Sequence, residues 1–355
     1  MAQISFARGI PAPECLAVDD LAECARAALQ RDGRTILSYG PSPGYGPLRD
    51  RLAARHGVDP ARIFLTNGSL QGFVFLAQRL APGKRVLVEQ PTYDRPLKIL
   101  RELGADVVPL QTDDEGLDPD ALEAALSHGE PPAFLYVIPT FQNPSGRTLS
   151  AERRNRIVEL AREHELLVLE DDPYGLVRYE GEPLPSLHEL SGGTIAYSSS
   201  FSKTISPGLR VGWFVLPDDL ASEIAATATA TYITPVLLGQ ATVHEFIERG
   251  LFEPNLERVV GLLRTRRDAM LAGLDEHLPN ARTSRPEGGY FLWLELDGVD
   301  VAELLPRAEQ SGVTFVPGTD FGAGSNTLRL AFSFVSPDEI ADGVSRLASA
   351  LPATV

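Results

Sequence analysis

An α/β fold with a mostly parallel sheet, followed by a smaller α+β domain, is predicted by three observations. Short apolar runs alternate with helical periodicity through the middle of the chain, the runs are continuous rather than alternately polar, and the pattern changes after a long charged helix that begins near residue 252. Strands read as continuous apolar runs when helices cover both faces of their sheet. With 355 residues, 43% of them hydrophobic, the chain is long enough for one large or two medium domains with a sizeable buried core.

The first thirty or so residues hold a Pro-rich extended piece and a helix over 19–30, and residues 1–35 are expected to pack with the small domain. Residues 36–251 form the large domain. Its strands are read at 63–66, 85–89, 106–110, 133–138, 166–170, 194–198 and 211–215, a seven-stranded set, with helices at 69–80, 95–103, 119–127 and 151–164 between them. Residues 252–355 supply the linking helix at 252–277 and the small domain, with strands at 281–284, 290–295, 313–316 and 327–332 and helices at 301–310 and 337–347. Ligands of such sheets bind beyond the carboxyl ends of the strands, so the loops there are where chemistry is sought.

Bulk charge narrows the function. A net charge of -16 and a pI near 4.9 argue against a phosphate-backbone binder, which needs clustered positive charge. The two cysteines, Cys15 and Cys24, have no histidine at metal-ligand spacing, so neither a disulfide framework nor a metal site is expected. A cytoplasmic protein is expected, since no basic-then-apolar leader and no apolar run of bilayer-spanning length are present.

Of the 32 lysines and arginines only three are lysine, and one of these, Lys203, lies in Ser-Ser-Ser-Phe-Ser-Lys-Thr-Ile-Ser-Pro-Gly-Leu-Arg. Lysine can lose its proton and attack a carbonyl, which arginine cannot. Ser200, Ser202 and Arg210 supply hydroxyl and guanidinium donors nearby, so a phosphorylated aldehyde held as a Schiff base fits. The other loops carry complementary groups. Gly68 and Ser69 open a helix whose N-H groups suit a phosphate, or Ser69 is an ordinary cap. Tyr93 offers a face for a pyridine ring, or simply packs. Asn143 offers an amide to a phenolic oxygen, or belongs to an Asn-Pro turn. Asp171 suits a pyridine nitrogen, with Tyr174 three residues on to reach the phenolic oxygen, unless Asp171 and Asp172 only cap a turn. Arg329, a charge inside an apolar strand, suits a substrate carboxylate or a structural salt bridge.

In this order, and together with Tyr39-Gly-Pro-Ser-Pro-Gly-Tyr-Gly-Pro-Leu-Arg49 and Asn143-Pro-Ser-Gly146, these motifs resemble the class I/II aminotransferases of pyridoxal-phosphate fold type I, nearest the 2-aminoadipate and kynurenine aminotransferase branch. The resemblance spans nearly the whole chain. It implies pyridoxal 5'-phosphate bound to Lys203, with Asp171 on the pyridine nitrogen, Asn143 and Tyr174 on the phenolic oxygen and Tyr93 stacked on the ring. Gly68, Ser69, Ser200, Ser202 and Arg210 would hold the phosphate, with Leu70 a further cofactor contact. A homodimer is also implied, with Tyr39 reaching in from the partner subunit. Arg329, aided by Asn143 and the Gly9 segment, would clamp the substrate carboxylate. The implied reaction is a ping-pong exchange between an L-amino acid and a 2-oxo acid, with 2-oxoglutarate the expected acceptor.

Two departures bear on the substrate. The helix that relatives carry before their Gly-Gly-Leu-Pro-Ala-Pro segment is not found ahead of Phe6-Ala-Arg-Gly-Ile-Pro-Ala-Pro13, and Arg8 stands where glycine is usual. Arg8 is read as a surface arginine or as a contact for the distal carboxylate of an acidic donor. The alternatives are other pyridoxal-phosphate reactions, such as a β-lyase or racemase, and a non-catalytic sensor. A nicotinamide enzyme is not expected, since no Gly-x-Gly-x-x-Gly follows the first strand.

Overall fold

Apolar cores on both faces of a central sheet build the large domain in the computed structural model, which describes residues 3–352. Residues 1–2 and 353–355 of the predicted terminal segments lie outside this range. A short strand β1 (Ile4–Ser5) precedes the strands of the large sheet. These are β2 (Ile63–Thr66), β3 (Arg85–Gln90), β4 (Asp106–Asp113), β5 (Gly116–Leu117), β6 (Phe134–Val137), β7 (Val168–Asp171), β8 (Ala196–Ser200) and β9 (Gly212–Val215). They lie in the order β2-β9-β8-β7-β6-β3-β4-β5. The seven predicted strands are all present, and the eighth, β5, is a two-residue antiparallel hairpin partner of β4. Between β8 and β4 every pairing is parallel; β9 runs against both of its neighbours.

Period-two side-chain geometry explains the continuous apolar runs. In β3, Val86 and Val88 enter one core and Leu87 the other. In β6, Phe134 and Tyr136 share the first core while Leu135 and Val137 share the second. Helices Ser69–Leu80 and Asp94–Glu102 cover the first face, and Ala151–Glu163 helps to cover the second.

The small domain holds β10 (Arg282–Thr283), β11 (Phe291–Glu295), β12 (Val313–Thr314), β13 (Val316–Pro317) and β14 (Thr327–Ala331), with helices Val301–Gln310 and Pro337–Ser349. The strand expected over 313–316 is two strands. Val313–Thr314 pairs in parallel with β1, while Val316–Pro317 joins the antiparallel sheet β10-β11-β14-β13.

The N-terminal segment divides between the domains, which corrects the expectation that all of it packs with the small one. Ile4, Phe6, Ala12 and Cys15 lie in the small-domain core. The following helix is longer than expected, Val18–Ile36, and buries Cys24, Ala28 and Ile36 with Leu48, Leu237 and Ala241 of the large domain. An Arg31–Glu245 ion pair and the Tyr45 hydroxyl bound to Asp32 fix it there. The reason is helix Leu237–Glu248, whose apolar surface the sequence pattern did not separate from its surroundings and which receives the stripe Cys24–Ala28.

Candidate active site

The carboxyl ends of β2, β3, β6, β7 and β8 open into one cavity of about 250 Å³. Gly68, Ser69 and Leu70 enter it from the start of the helix after β2, Tyr93 from the loop after β3, and Asn143 from the loop after β6. Asp171 ends β7, Tyr174 follows in its turn, and Ser200, Ser202, Lys203 and Arg210 come from β8 and the turns that lead into β9. The antiparallel course of β9 brings Gly212, its first residue, beside Thr66 and Ser200, the last residues of β2 and β8. A Cβ on Gly212 would lie 2.3 Å from the Ser69 amide nitrogen, so glycine here lets the strand pass beneath the helix start. Gly68, at φ +92, likewise leaves room for the Arg210 guanidinium.

At this end of the cavity the donors converge. Ser200 Oγ donates to Ser202 Oγ at 2.8 Å and accepts from the Ser202 amide at 3.1 Å. Arg210 is anchored by Nη2 to the Asn67 carbonyl at 2.9 Å and adopts a left-handed backbone at φ 53. Amide N-H groups at the start of Ser69–Leu80, two hydroxyls and a guanidinium form a donor cradle of the kind that suits a dianionic phosphate.

Lys203 lies farther in. Its Nζ donates to the Gly9 carbonyl at 2.6 Å and sits 5.1 Å from the Tyr290 ring and 5.7 Å from the Tyr174 ring. Burial, then the nearby charges of Arg329 and Arg210, pull its pKa from 10.5 down to about 8, so a neutral amine is accessible near neutrality. Across the cavity, Asp171 Oδ2 accepts from the Tyr136 hydroxyl at 2.7 Å, whereas Asp171 Oδ1 is buried with no hydrogen-bond partner among the described residues. Burial pushes Asp171 up to about 6, opposed by the Tyr136 hydrogen bond. A cationic partner at the free oxygen would offset that burial. Burial also keeps Tyr93 and Tyr174 as neutral phenols, Tyr93 being pushed up to about 12 and Tyr174 higher.

Arg329 stands in β14 opposite Trp293 of β11 and is 7% exposed. Its Nη1 donates to Asn143 Oδ1 at 2.8 Å and its Nη2 to the Ala7 carbonyl at 2.9 Å, while Nε is buried without a partner. The guanidinium contacts two ring faces, 4.3 Å from the centre of Phe291 and 4.9 Å from that of Phe321. Cation–π contact is worth about 2 kcal/mol when desolvated and leaves the planar edge for a carboxylate. No carboxylate pairs with Arg329 among the described residues, so the structural salt bridge is not what holds it.

Eleven of the predicted residues thus line one cavity. Gly9 joins through Lys203 and Arg329 through Asn143. Tyr39 does not: it is 79% exposed beside a separate hollow lined by Thr234–Leu238. Arg8 is exposed over the Phe334 ring at 5.5 Å and is absent from the cavity lining. Residues the sequence pattern did not single out are Tyr136, Phe73 and Ile10 in the lining and the Phe291 and Phe321 rings. The only trace of the first in the sequence is a hydroxyl within the otherwise apolar Phe-Leu-Tyr-Val of β6.

An amine, a free carboxylate oxygen and a donor cradle are the chemical complement of an aldehyde, a pyridinium nitrogen and a phosphate, so the residues present fit pyridoxal phosphate. Comparison with known proteins agrees. Residues 12–347 match the family described as aminotransferase class I and II. The 2-aminoadipate transaminase of Thermus thermophilus is 40% identical over 363 residues, covering 98% of this chain and 90% of that protein. Aromatic-amino-acid aminotransferase 1 of Thermococcus litoralis is 33% identical over 98% of this chain and 88% of its own length. Among solved structures, LysN, the alpha-aminoadipate aminotransferase of Thermus thermophilus complexed with N-(5'-phosphopyridoxyl)-L-leucine, superposes with a TM-score of 0.93 at 37% identity, over 98% of this chain and 92% of that one. With a match that runs through both domains and a cavity whose chemistry leads the same way, the chain belongs to the class I and II aminotransferases, pyridoxal-phosphate enzymes of fold type I that exchange an amino group between an amino acid and an oxo acid.

Proposed function

We propose that the cavity around Lys203 is the transamination site and that its residues divide the work as follows. The observation that carries this reading is the convergence of Lys203, Asp171 and the donor cradle on one cavity. Gly68, Ser69, Ser200, Ser202 and Arg210 hold the cofactor phosphate with Leu70 a further cofactor contact, Asp171 Oδ1 accepts from the pyridine N-H, Asn143 and Tyr174 donate to the phenolic oxygen, and Tyr93 stacks on the ring. When bound, the cofactor supplies an electron sink that acidifies the α-C–H of the attached amino acid.

The chain's own residues do the remainder. Arg329 takes the α-carboxylate between its guanidinium edge and the Asn143 side chain, with the Ala7–Gly9 backbone closing the same side. This orients the α-C–H toward Lys203. Lys203 Nζ, held at the Gly9 carbonyl and brought to a pKa of about 8, takes the α-proton as the neutral amine and delivers it again as the ammonium. The phenols of Tyr174 and Tyr290 flank its path and exclude water. The same residues serve both half-reactions of a ping-pong exchange.

The proposal extends to a homodimer. Leu37, Tyr39 and Val236 are large apolar side chains between 55% and 79% exposed around the same hollow, and a second copy would cover them. Tyr39 then reaches the partner's phosphate cradle. The donor is an L-amino acid that keeps its carboxylate, 2-oxoglutarate is the acceptor, and a reducing cytosol is the location. Among the described residues no helix is long and apolar enough to cross a membrane. The activity of the Thermus relative makes 2-aminoadipate the first donor to assay.

The test is chemical. Borohydride reduction of the cofactor-loaded protein followed by peptide mapping should place a phosphopyridoxyl group on Lys203. A label on Lys84 or Lys98 instead would remove the basis of the assignment.

A further inference from the structure

We propose that Tyr136 is a positioning residue for the cofactor: its phenol holds one oxygen of Asp171 so that the other stays free and aimed for the pyridine nitrogen. The inference rests on the reading of Asp171 as the pyridine partner. Tyr136 is the third residue of β6, is 1% exposed and lines the cavity. Its hydroxyl donates to Asp171 Oδ2 at 2.7 Å, across the parallel β6–β7 pair. Phe73 meets its ring edge-on, centroids 5.2 Å apart at 66°, and keeps the phenol from swinging away.

The geometry gives this bond two effects. A carboxylate tied at one oxygen no longer rotates freely about Cβ–Cγ, so Oδ1 keeps one direction. The bond also favours the charged form. The groups that face Asp171 are Tyr136 from β6, Ser198 from β8, Tyr93 from the loop after β3, and Asp172 and Tyr174 from its own turn. Burial and the like charge of Asp172 work against the carboxylate; Tyr136 and Ser198 work for it. Without the phenol the carboxylate protonates at higher pH and is a poorer partner for a pyridinium.

The test is Tyr136→Phe, which keeps the ring and its edge contact with Phe73. The probe is pyridoxamine 5'-phosphate, which has no aldehyde to condense with Lys203, so its calorimetric dissociation constant between pH 5.5 and 8.5 reads non-covalent contacts. The expected result is about tenfold weaker binding near pH 7.5 and an acid limb moved up by about one pH unit, while the affinity for inorganic phosphate at the separate cradle stays as it was. Replacement of Tyr136 by 3,5-difluorotyrosine, a stronger donor, should move the acid limb down, and it keeps the question answerable should the phenylalanine variant not fold. Unchanged affinity and acid limb in both variants, alongside a clear loss in Asp171→Asn, would overturn the role of Tyr136. An unchanged Asp171→Asn would overturn the underlying reading of Asp171. Equal losses for phosphate and the probe with no shift of the acid limb would assign Tyr136 to packing alone and also overturn it.

Discussion

Lys203→Met should make the cofactor-free protein more stable, in a way that depends on pH. In the folded chain the Lys203 pKa is lowered from 10.5 to about 8, first by burial and then by Arg329 and Arg210. Between those values the unfolded chain binds a proton that the folded chain does not, so stability rises with pH through that window. Below pH 8 the full cost of the buried ammonium is present, with a ceiling of about 3 kcal/mol. The hydrogen bond from Nζ to the Gly9 carbonyl returns about 1.5 kcal/mol of that. Methionine carries no charge and fills a similar volume. Urea unfolding of both proteins without cofactor, at pH 7, 8, 9 and 10, should show the variant ahead by about 1–2 kcal/mol at pH 7 and that lead falling by about 2 kcal/mol, to nothing or below, by pH 10. Other titrating groups cancel in the difference. A gap that stays constant from pH 7 to 10, or a less stable variant at pH 7, would refute the argument that the site holds its amine at a cost in stability.

Three further outcomes follow from particular contacts. Arg329→Gln removes the carboxylate fork but keeps a polar side chain next to Asn143; kcat/KM for every L-amino acid donor should fall by roughly 100-fold or more while the cofactor dissociation constant changes little. Gly212→Ala places a methyl against the Ser69 amide at 2.3 Å and should lower stability by about 2 kcal/mol or more and weaken cofactor binding as the helix start shifts, as thermal unfolding and dialysis would read. Arg8→Ala should leave the KM for glutamate and 2-aminoadipate within about twofold of wild type, because Arg8 stacks on Phe334 outside the cavity lining and exposed pairs contribute little.

The large sheet is legible in the sequence because its strands are apolar on both faces and its helices are not. Ser69–Leu80, Pro119–Ser127 and Phe252–His277 fall where their patterns end. Three helices had no such signature. Gly46–His56 begins with Gly-Pro and has a weak apolar stripe, Asp218–Tyr232 is a run of alanine and threonine, and Leu237–Glu248 is buried nearly all round, so none shows a one-sided period. Pairing of β1 with β12 joins segments about three hundred residues apart and leaves no local trace. The candidate site was legible where chemistry demands an unusual residue, as at Lys203 or at Arg329 inside an apolar strand. It was not legible where an ordinary core residue also serves the site. Tyr136 reads as one more large side chain in Phe-Leu-Tyr-Val, and Phe291 and Phe321 reach Arg329 only through tertiary packing.

Whether Lys203 and its cavity carry out transamination is decided by the half-reaction. Purified protein loaded with pyridoxal phosphate is titrated with single amino acids, 2-aminoadipate and glutamate first, without any oxo acid, while the visible spectrum is followed beside a Lys203→Ala control. At least one donor should convert the absorption of the bound cofactor to that of its amine form with release of one equivalent of the matching 2-oxo acid, and the control should not turn over. A cofactor band that no donor converts, or conversion that proceeds as fast without Lys203, would contradict the assignment of transamination to this site.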